Sequence, residues 1–364
     1  MRIGLFPRLA AAVVFMLAFS APAGASAAPG RQHTALTLAS TPRTVALAPH
    51  GPGVHGTARP NLTISVLPTF DSSFTTGGVR YAYTMVGTDP RKPAAVTQVK
   101  TSLRPLSLFI TDAGVAVPIS AATVAQVTSS GLFTAKPFPG GTAQYGDGFM
   151  RAQFWSAVGN GTKNWHAKLT APTVAARKTV TIPAGLGAVQ IVDKQKVGLA
   201  DIATVDAALR PDIAATPADT FTIFILQNTV LCDFGCGIGG YHSVYIDSKG
   251  PHTYAVASVL DPAVFGQASG FYGLSPASHE VAEWYADPYV GNITPIWSAP
   301  NYGCGNSLEV GDPLVGTNRT VDGQVYQDEA FLPWFSGHTS TSFRGRYSWF
   351  GTFTSPSTGC SFGP

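Results

Sequence analysis

Four histidine and carboxylate side chains fall within nine positions in Ser278-His279-Glu280-Val281-Ala282-Glu283-Trp284-Tyr285-Ala286-Asp287-Pro288, in a chain that is only 12% charged. Read as a helix, this run puts His279 and Glu283, at i and i+4, on one face where both reach a single ion. Glu280 projects about 100° further round the axis, beside that ion rather than on it. The chemistry implied is metal-assisted hydrolysis: ligands hold a cation, and a spare carboxylate takes a proton from water. Ser275 suits the cap of this helix and Pro276 its first turn, while Pro288 ends it and holds Asp287 extended. The alternatives are a metal-free acid/base pair and a structural acidic helix, against the second of which Val281, Trp284 and Tyr285 mark the segment as packed rather than freely solvated.

The spacing follows the His-Glu-x-x-His zinc motif with glutamate in place of the second histidine. Zn²⁺ needs a third protein ligand if water is to fill the fourth position. Leu308-Glu309-Val310-Gly311-Asp312-Pro313 supplies two carboxylates downstream. Glu309 is the first choice and Asp287 the second. Asp312 serves as a ligand or as an acceptor that holds the loop. His242, within Gly239-Gly240-Tyr241-His242-Ser243, is a further ligand, a hydrogen-bonding wall, or a satisfied structural histidine on a strand.

These residues need a scaffold. Strand-like runs recur at Leu62–Leu67, Val79–Met85, Leu106–Thr111, Trp165–Leu169, Thr179–Ile182 and Ala188–Val192. Helical patterns occupy Gln144–Ala157 and Leu199–Leu209. The β-branched and aromatic run Thr220–Gln227 reads as a central buried strand, followed by strands at Tyr241–Asp247 and Thr253–Leu260. Several strands and then a ligand-bearing helix predict an α+β class: a zincin-like β-sheet with the metal-ligand helix packed behind it and many irregular loops. The Gly-, Pro- and aromatic-rich region beyond Pro288 is expected to be mostly loop. The aromatics around the motif, Trp284, Tyr289, Trp297, Tyr302, Tyr326 and Trp334, are expected mostly in the core or a lid, with exposed ones among them suited to stack on a sugar or peptide.

Arg2 and Arg8, the apolar run Leu9 to Phe19, and Ala25-Ser26-Ala27 form the three parts of a secretory signal over residues 1–27. Residues 28–60 read as a flexible leader or pro-segment, and residues 61–364 as one large domain with its site at about 220–340. No run is apolar for long enough to span a bilayer. A formal net charge of +3 without a basic tract excludes a nucleic-acid binder. With 39 glycines and 28 prolines, the composition favours a turn-rich β protein over a helical bundle. Four cysteines allow three pairings. Cys232 with Cys236 is expected as a local staple, and Cys304 with Cys360 as a tie from the tail to the site region. A thiolate metal site at Cys232 and Cys236 is the rival.

Cys236-Gly237, Tyr241-His242, His279-Glu280-Val281-Ala282-Glu283 with Pro288, then Glu309 and Asp312, resemble plant phosphate-induced, EXORDIUM-like proteins. They also resemble exported bacterial proteins that carry His-Glu-x-x-Glu. The likeness spans roughly residues 220–315. It departs in a longer glycine insert between Cys236 and His242, and in Pro313 where a cysteine follows the aspartate. The resemblance implies an extracellular setting and fixes no reaction. The expectation is therefore a secreted metal-dependent hydrolase, a zinc peptidase with His279, Glu283 and Glu309 on Zn²⁺ and Glu280 as general base, acting on a peptide or cell-wall substrate. The alternative is a non-catalytic binding protein, associated with cell-wall glycan, in which the same residues form a structural metal site. A glycoside hydrolase ranks last, because Glu280 and Glu283 on one helix do not flank a sugar bond.

Overall fold

The computed structural model describes residues 66–192, 194–233, 235–266, 270–299 and 302–360. The expected signal segment, the leader and most of Leu62–Leu67 lie outside the described residues. What is described is mixed α+β, with more strand than helix and many irregular connections.

Thr220–Gln227 lies inside the main sheet, parallel to Gly250–Val259 on one side and to Val96–Ile110 on the other. Gly240–Asp247 pairs antiparallel with Gly250–Val259 and forms the edge there. The long strand Val96–Ile110 takes His166–Leu169, Thr173–Val174 and Lys178–Ile182 as successive parallel partners. Only the end of this strand, from Leu106, is legible as a hydrophobic run. Its first half alternates cleanly between buried and exposed, but two of the inward positions are Thr97 and Thr101, which dilute the apolar signal.

Seven of the eight residues of Thr220–Gln227 are buried, because both sheet faces are covered. Alternation splits them between two cores. Phe221, Ile223 and Ile225 share one with Val281 and Trp284 of the helix Ser275–Ala286. Phe224 and Leu226 share the other with Val205, Leu209 and Ile213, the i, i+4, i+8 stripe of the helix Ile202–Ala215. That second helix starts later than the sequence pattern implies. Leu199 to Asp201 belong to the strand Gln195–Asp201, and Asp201 then caps the helix by accepting from Thr204 N at 2.7 Å.

Both expected disulfides form, Cys232–Cys236 and Cys304–Cys360, which removes the thiolate metal site. The region after Pro288 is more ordered than expected. Ile293–Ala299 pairs with Gly303–Ser307, Asn318–Val321 pairs with Gln324–Gln327, and Leu332–Ser336 is a short helix. Short strands of Gly, Asn and Gln carry little β signal of their own; buried Trp297, Tyr326 and Trp334 fix them from within. Among the described residues, no helix is long and apolar enough to cross a membrane.

Candidate metal centre

The helix Ser275–Ala286 is buried along nearly its whole length against the hairpin of Gly240–Asp247 and Gly250–Val259. Such close approach needs small residues on the sheet. Ala255 and Ala257 supply two of them, and Gly240 the third: a Cβ there would lie 2.8 Å from Glu280 Cγ and 2.8 Å from the Val256 carbonyl oxygen. Trp284 stacks on Phe221 with centroids 3.8 Å apart and planes within 9°, and the Tyr285 hydroxyl donates to the Ala167 carbonyl at 2.9 Å. The start differs from expectation. Ser275 is the first helical residue rather than the cap, and its hydroxyl donates to the Tyr272 carbonyl.

Beyond the helix, Asp287 accepts the Gly291 and Asn292 backbone N–H groups on its two oxygens, each at 2.9 Å. Asn292 in turn donates its side-chain amide to the Ala286 carbonyl. Asp287 is thus engaged in holding the turn. Leu308 N–H reaches back to the Asn292 carbonyl at 2.9 Å, and this returns Glu309 and Asp312 to the helix. Gly311 is a close approach too, since a Cβ there would stand 2.5 Å from His279 Nδ1.

His242, His279, Glu280, Glu283, Glu309 and Asp312 converge here. Two overlapping triads have ligand atoms close enough for one ion: His242, Glu280 and Glu283, and His279, Glu283 and Asp312. His242 Nδ1 lies 3.5 Å from Glu280 Oε2 and 3.5 Å from Glu283 Oε2. His279 Nε2 lies 3.0 Å from Glu283 Oε1 and 3.5 Å from Asp312 Oδ1. Glu309 belongs to neither triad and sits 3.8 Å from His242 Nε2.

The outer contacts of the two histidines differ. His242 Nε2 meets the Asp287 carbonyl at 3.1 Å; a carbonyl only accepts, so this nitrogen carries a proton and leaves Nδ1 as the lone-pair side in the neutral ring. His279 Nδ1 meets the Gln327 amide nitrogen at 2.8 Å, and that nitrogen also donates to the Gly311 carbonyl at 2.8 Å. An amide oxygen in that position would face the carbonyl oxygen, so the nitrogen is the group that faces Nδ1. In the neutral ring, His279 therefore accepts at Nδ1 and carries its proton on Nε2. Gln327 is itself held by its backbone N–H on Ser278 Oγ at 3.0 Å.

Among the described residues, every ion pair made by Glu280, Glu283, Glu309 and Asp312 is with a histidine; no lysine or arginine joins them. Buried carboxylates without such partners draw protons or cations. Burial pushes Glu309 well above the usual carboxylate range, with Glu283 beside it adding to the shift. Burial and then Glu283 push Asp312 up to about 8, and burial pushes Asp287 up to about 6 against its two backbone donors. Burial opposes charge on His242, yet Glu309, Glu280 and Glu283 override it and hold the ring well above its ordinary value. His279 is raised in the same way, chiefly by Glu283. Glu283 alone goes down, because the histidines outweigh its burial.

Gln327 and Glu329 carry no motif that a sequence reading could seize. Glu329 is fully buried, accepts the Tyr145 hydroxyl at 2.6 Å, and leaves Oε2 without a hydrogen-bond partner. Comparison of the chain with family models, curated proteins and solved structures finds no match, so the chemistry of this centre rests on its own geometry.

Proposed function

We propose that the chain is an exported metal-dependent hydrolase of the peptidase kind, whose cation is held by His242 Nδ1, Glu280 and Glu283. The observation that carries this reading is how hydrogen-bond donors divide the two oxygens of Glu283. Oε1 already takes three: His279 Nε2–H at 3.0 Å, Gly311 N–H at 3.1 Å and Asp312 N–H at 3.3 Å. Oε2 instead faces His242 Nδ1 and shares that space with Glu280 Oε2. Ligands at about 2.0–2.1 Å from a tetrahedral zinc stand roughly 3.3–3.4 Å apart, close to the 3.5 Å that separates His242 Nδ1 from each of the two carboxylate oxygens.

On this reading Glu283 keeps the ligand role its helix position implies, His242 takes the place of His279, and Glu280 is a ligand rather than the base. His279 becomes the donor that fixes Glu283, as partners behind metal ligands do. A divalent cation would supply Lewis acidity and a more acidic water. Asp312 and Tyr302, hydrogen-bonded to each other beside His279, are the groups available to move protons to and from a bound peptide or cell-wall fragment. Two carboxylate ligands admit Zn²⁺ and harder divalent ions.

A second reading, a binding protein with a structural ion, draws on one observation: His242, Glu280 and Glu283 are only 5%, 4% and 3% exposed, and closed sites suit structural metals. Metal analysis of the purified variants tests the ligand set. His242→Ala and Glu280→Gln should lose the ion, whereas His279→Gln should keep it with affinity reduced by about 10–100-fold. A Glu280→Gln protein with its full metal content would overturn this assignment. Hydrolysis of denatured protein, peptides or wall fragments by the wild type separates catalyst from binder.

A further inference from the structure

We infer that a cavity beside the helix Tyr145–Gln153 binds a neutral sugar ring, at a place lined by none of the metal-centre residues. The cavity encloses about 230 Å³ and is walled by Gly140, Gly141, Thr142, Arg151, Trp155 and His166 among others. That is below the roughly 300–1,000 Å³ of sites for drug-sized ligands, and fits one ring rather than a chain.

Three side chains decide the chemistry. Asp147 is fully buried; its Oδ1 accepts Ala167 N–H at 2.9 Å and its Oδ2 lies 2.8 Å from His166 Nδ1. A carboxylate oxygen only accepts, so the neutral His166 ring carries its proton on Nδ1 and leaves Nε2 as the lone-pair side for a ligand hydroxyl. Three of the five Arg151 N–H groups are already spent on backbone carbonyls. Its Nη1 donates to the Lys163 and Trp165 carbonyls and its Nη2 to the Gly161 carbonyl. The buried Asp147 carboxylate behind His166 offsets the guanidinium charge, so the cavity offers an anion no net positive charge. Trp155 supplies a flat apolar wall. Phe343 holds it edge-on with centroids 4.9 Å apart, and Gly161 backs it so closely that a Cβ would stand 2.7 Å from the indole. An acceptor, the uncommitted guanidinium N–H donors and an aromatic wall together select a hydroxylated ring with one apolar face, which is a hexose or N-acetylhexosamine.

The full chain, as isolated with its metal, is titrated with glucose, N-acetylglucosamine and, as the anionic arm, inorganic phosphate, followed by saturation-transfer NMR. At least one sugar should bind with millimolar affinity and phosphate should not. Thr142→Trp fills the cavity from an exposed position, and Trp155→Leu removes the aromatic wall; each should weaken sugar binding at least tenfold while metal content stays unchanged. Absence of sugar binding at on the order of 10 mM, phosphate binding in preference, or binding that survives both substitutions would overturn the inference. Because metal content is read in the same samples, its failure is distinct from failure of the metal assignment.

Discussion

Gly240→Ala tests whether the sheet was shaped to admit Glu280. The added methyl would meet Glu280 Cγ at 2.8 Å and the Val256 carbonyl oxygen at 2.8 Å. Carbon atoms in contact prefer about 3.5–4.0 Å, so the Glu280 stem must withdraw by roughly 0.7 Å. The carbonyl belongs to the paired strand Gly250–Val259 and has little freedom to yield. Overpacking of this kind costs about 1–3 kcal/mol. With a urea m-value near 3 kcal/mol/M, the unfolding midpoint falls by roughly 0.3–1 M. Displacing the carboxylate by ~0.7 Å also exceeds the ±0.2 Å tolerated in ligand distances, so metal affinity should drop at least tenfold. Urea denaturation and metal titration read the two effects separately. Gly291→Ala is the control, since its nearest neighbour is the Tyr289 carbonyl at 3.7 Å and it should stay within about ±0.5 kcal/mol. A Gly240→Ala protein matching wild type in both midpoint and metal content would refute the reasoning.

Trp284→Ala should destabilise the fold by about 3–5 kcal/mol in chemical denaturation, because it empties a fully buried site and leaves Phe221 without its stacking partner; a loss below about 1 kcal/mol would contradict the packing described. Metal affinity should rise with pH between about pH 6 and pH 8. The carboxylates hold a proton on His242 well above its ordinary value in the metal-free protein, and the cation must displace that proton, so competition is strongest at low pH and fades as pH passes the raised value. Calorimetric titrations giving one affinity across that range would argue against His242 as a ligand.

The helix and its carboxylates were legible because an i, i+4 pair in a charge-poor chain is a local signal, and so were Thr220–Gln227 and the two disulfides. Which atom does what was not legible. His279 and His242 look equivalent as residue types, and only Gln327 behind one and the Asp287 carbonyl behind the other distinguish their nitrogens. Those partners lie 48 and 45 positions away, beyond any local pattern. Val96–Ile110 was hidden for a different reason, since threonines at inward positions are held by the sheet and not by their own hydrophobicity. Asp287 and Glu309 are candidate ligands by composition, and what the sequence does not show is their surroundings. The turn takes both oxygens of the first, and the second faces the protonated nitrogen of His242.

The parallel pairing of Val96–Ile110 has a consequence for when the metal centre exists. Its partner strand Thr220–Gln227 is more than a hundred residues away in sequence, and Gly250–Val259 joins only through that partner. Contacts of such long sequence separation place folding at the slow end of the single-domain range. The strand bearing His242, the helix bearing Glu280 and Glu283, and the segment of Gly311, Asp312 and Gln327 meet only after that sheet has closed. An unfolded chain offers these side chains singly, with no shared affinity for an ion. A cation held as proposed would therefore be captured at the end of folding, in whichever compartment folding finishes, and metal uptake during refolding would serve as a clock for the last step.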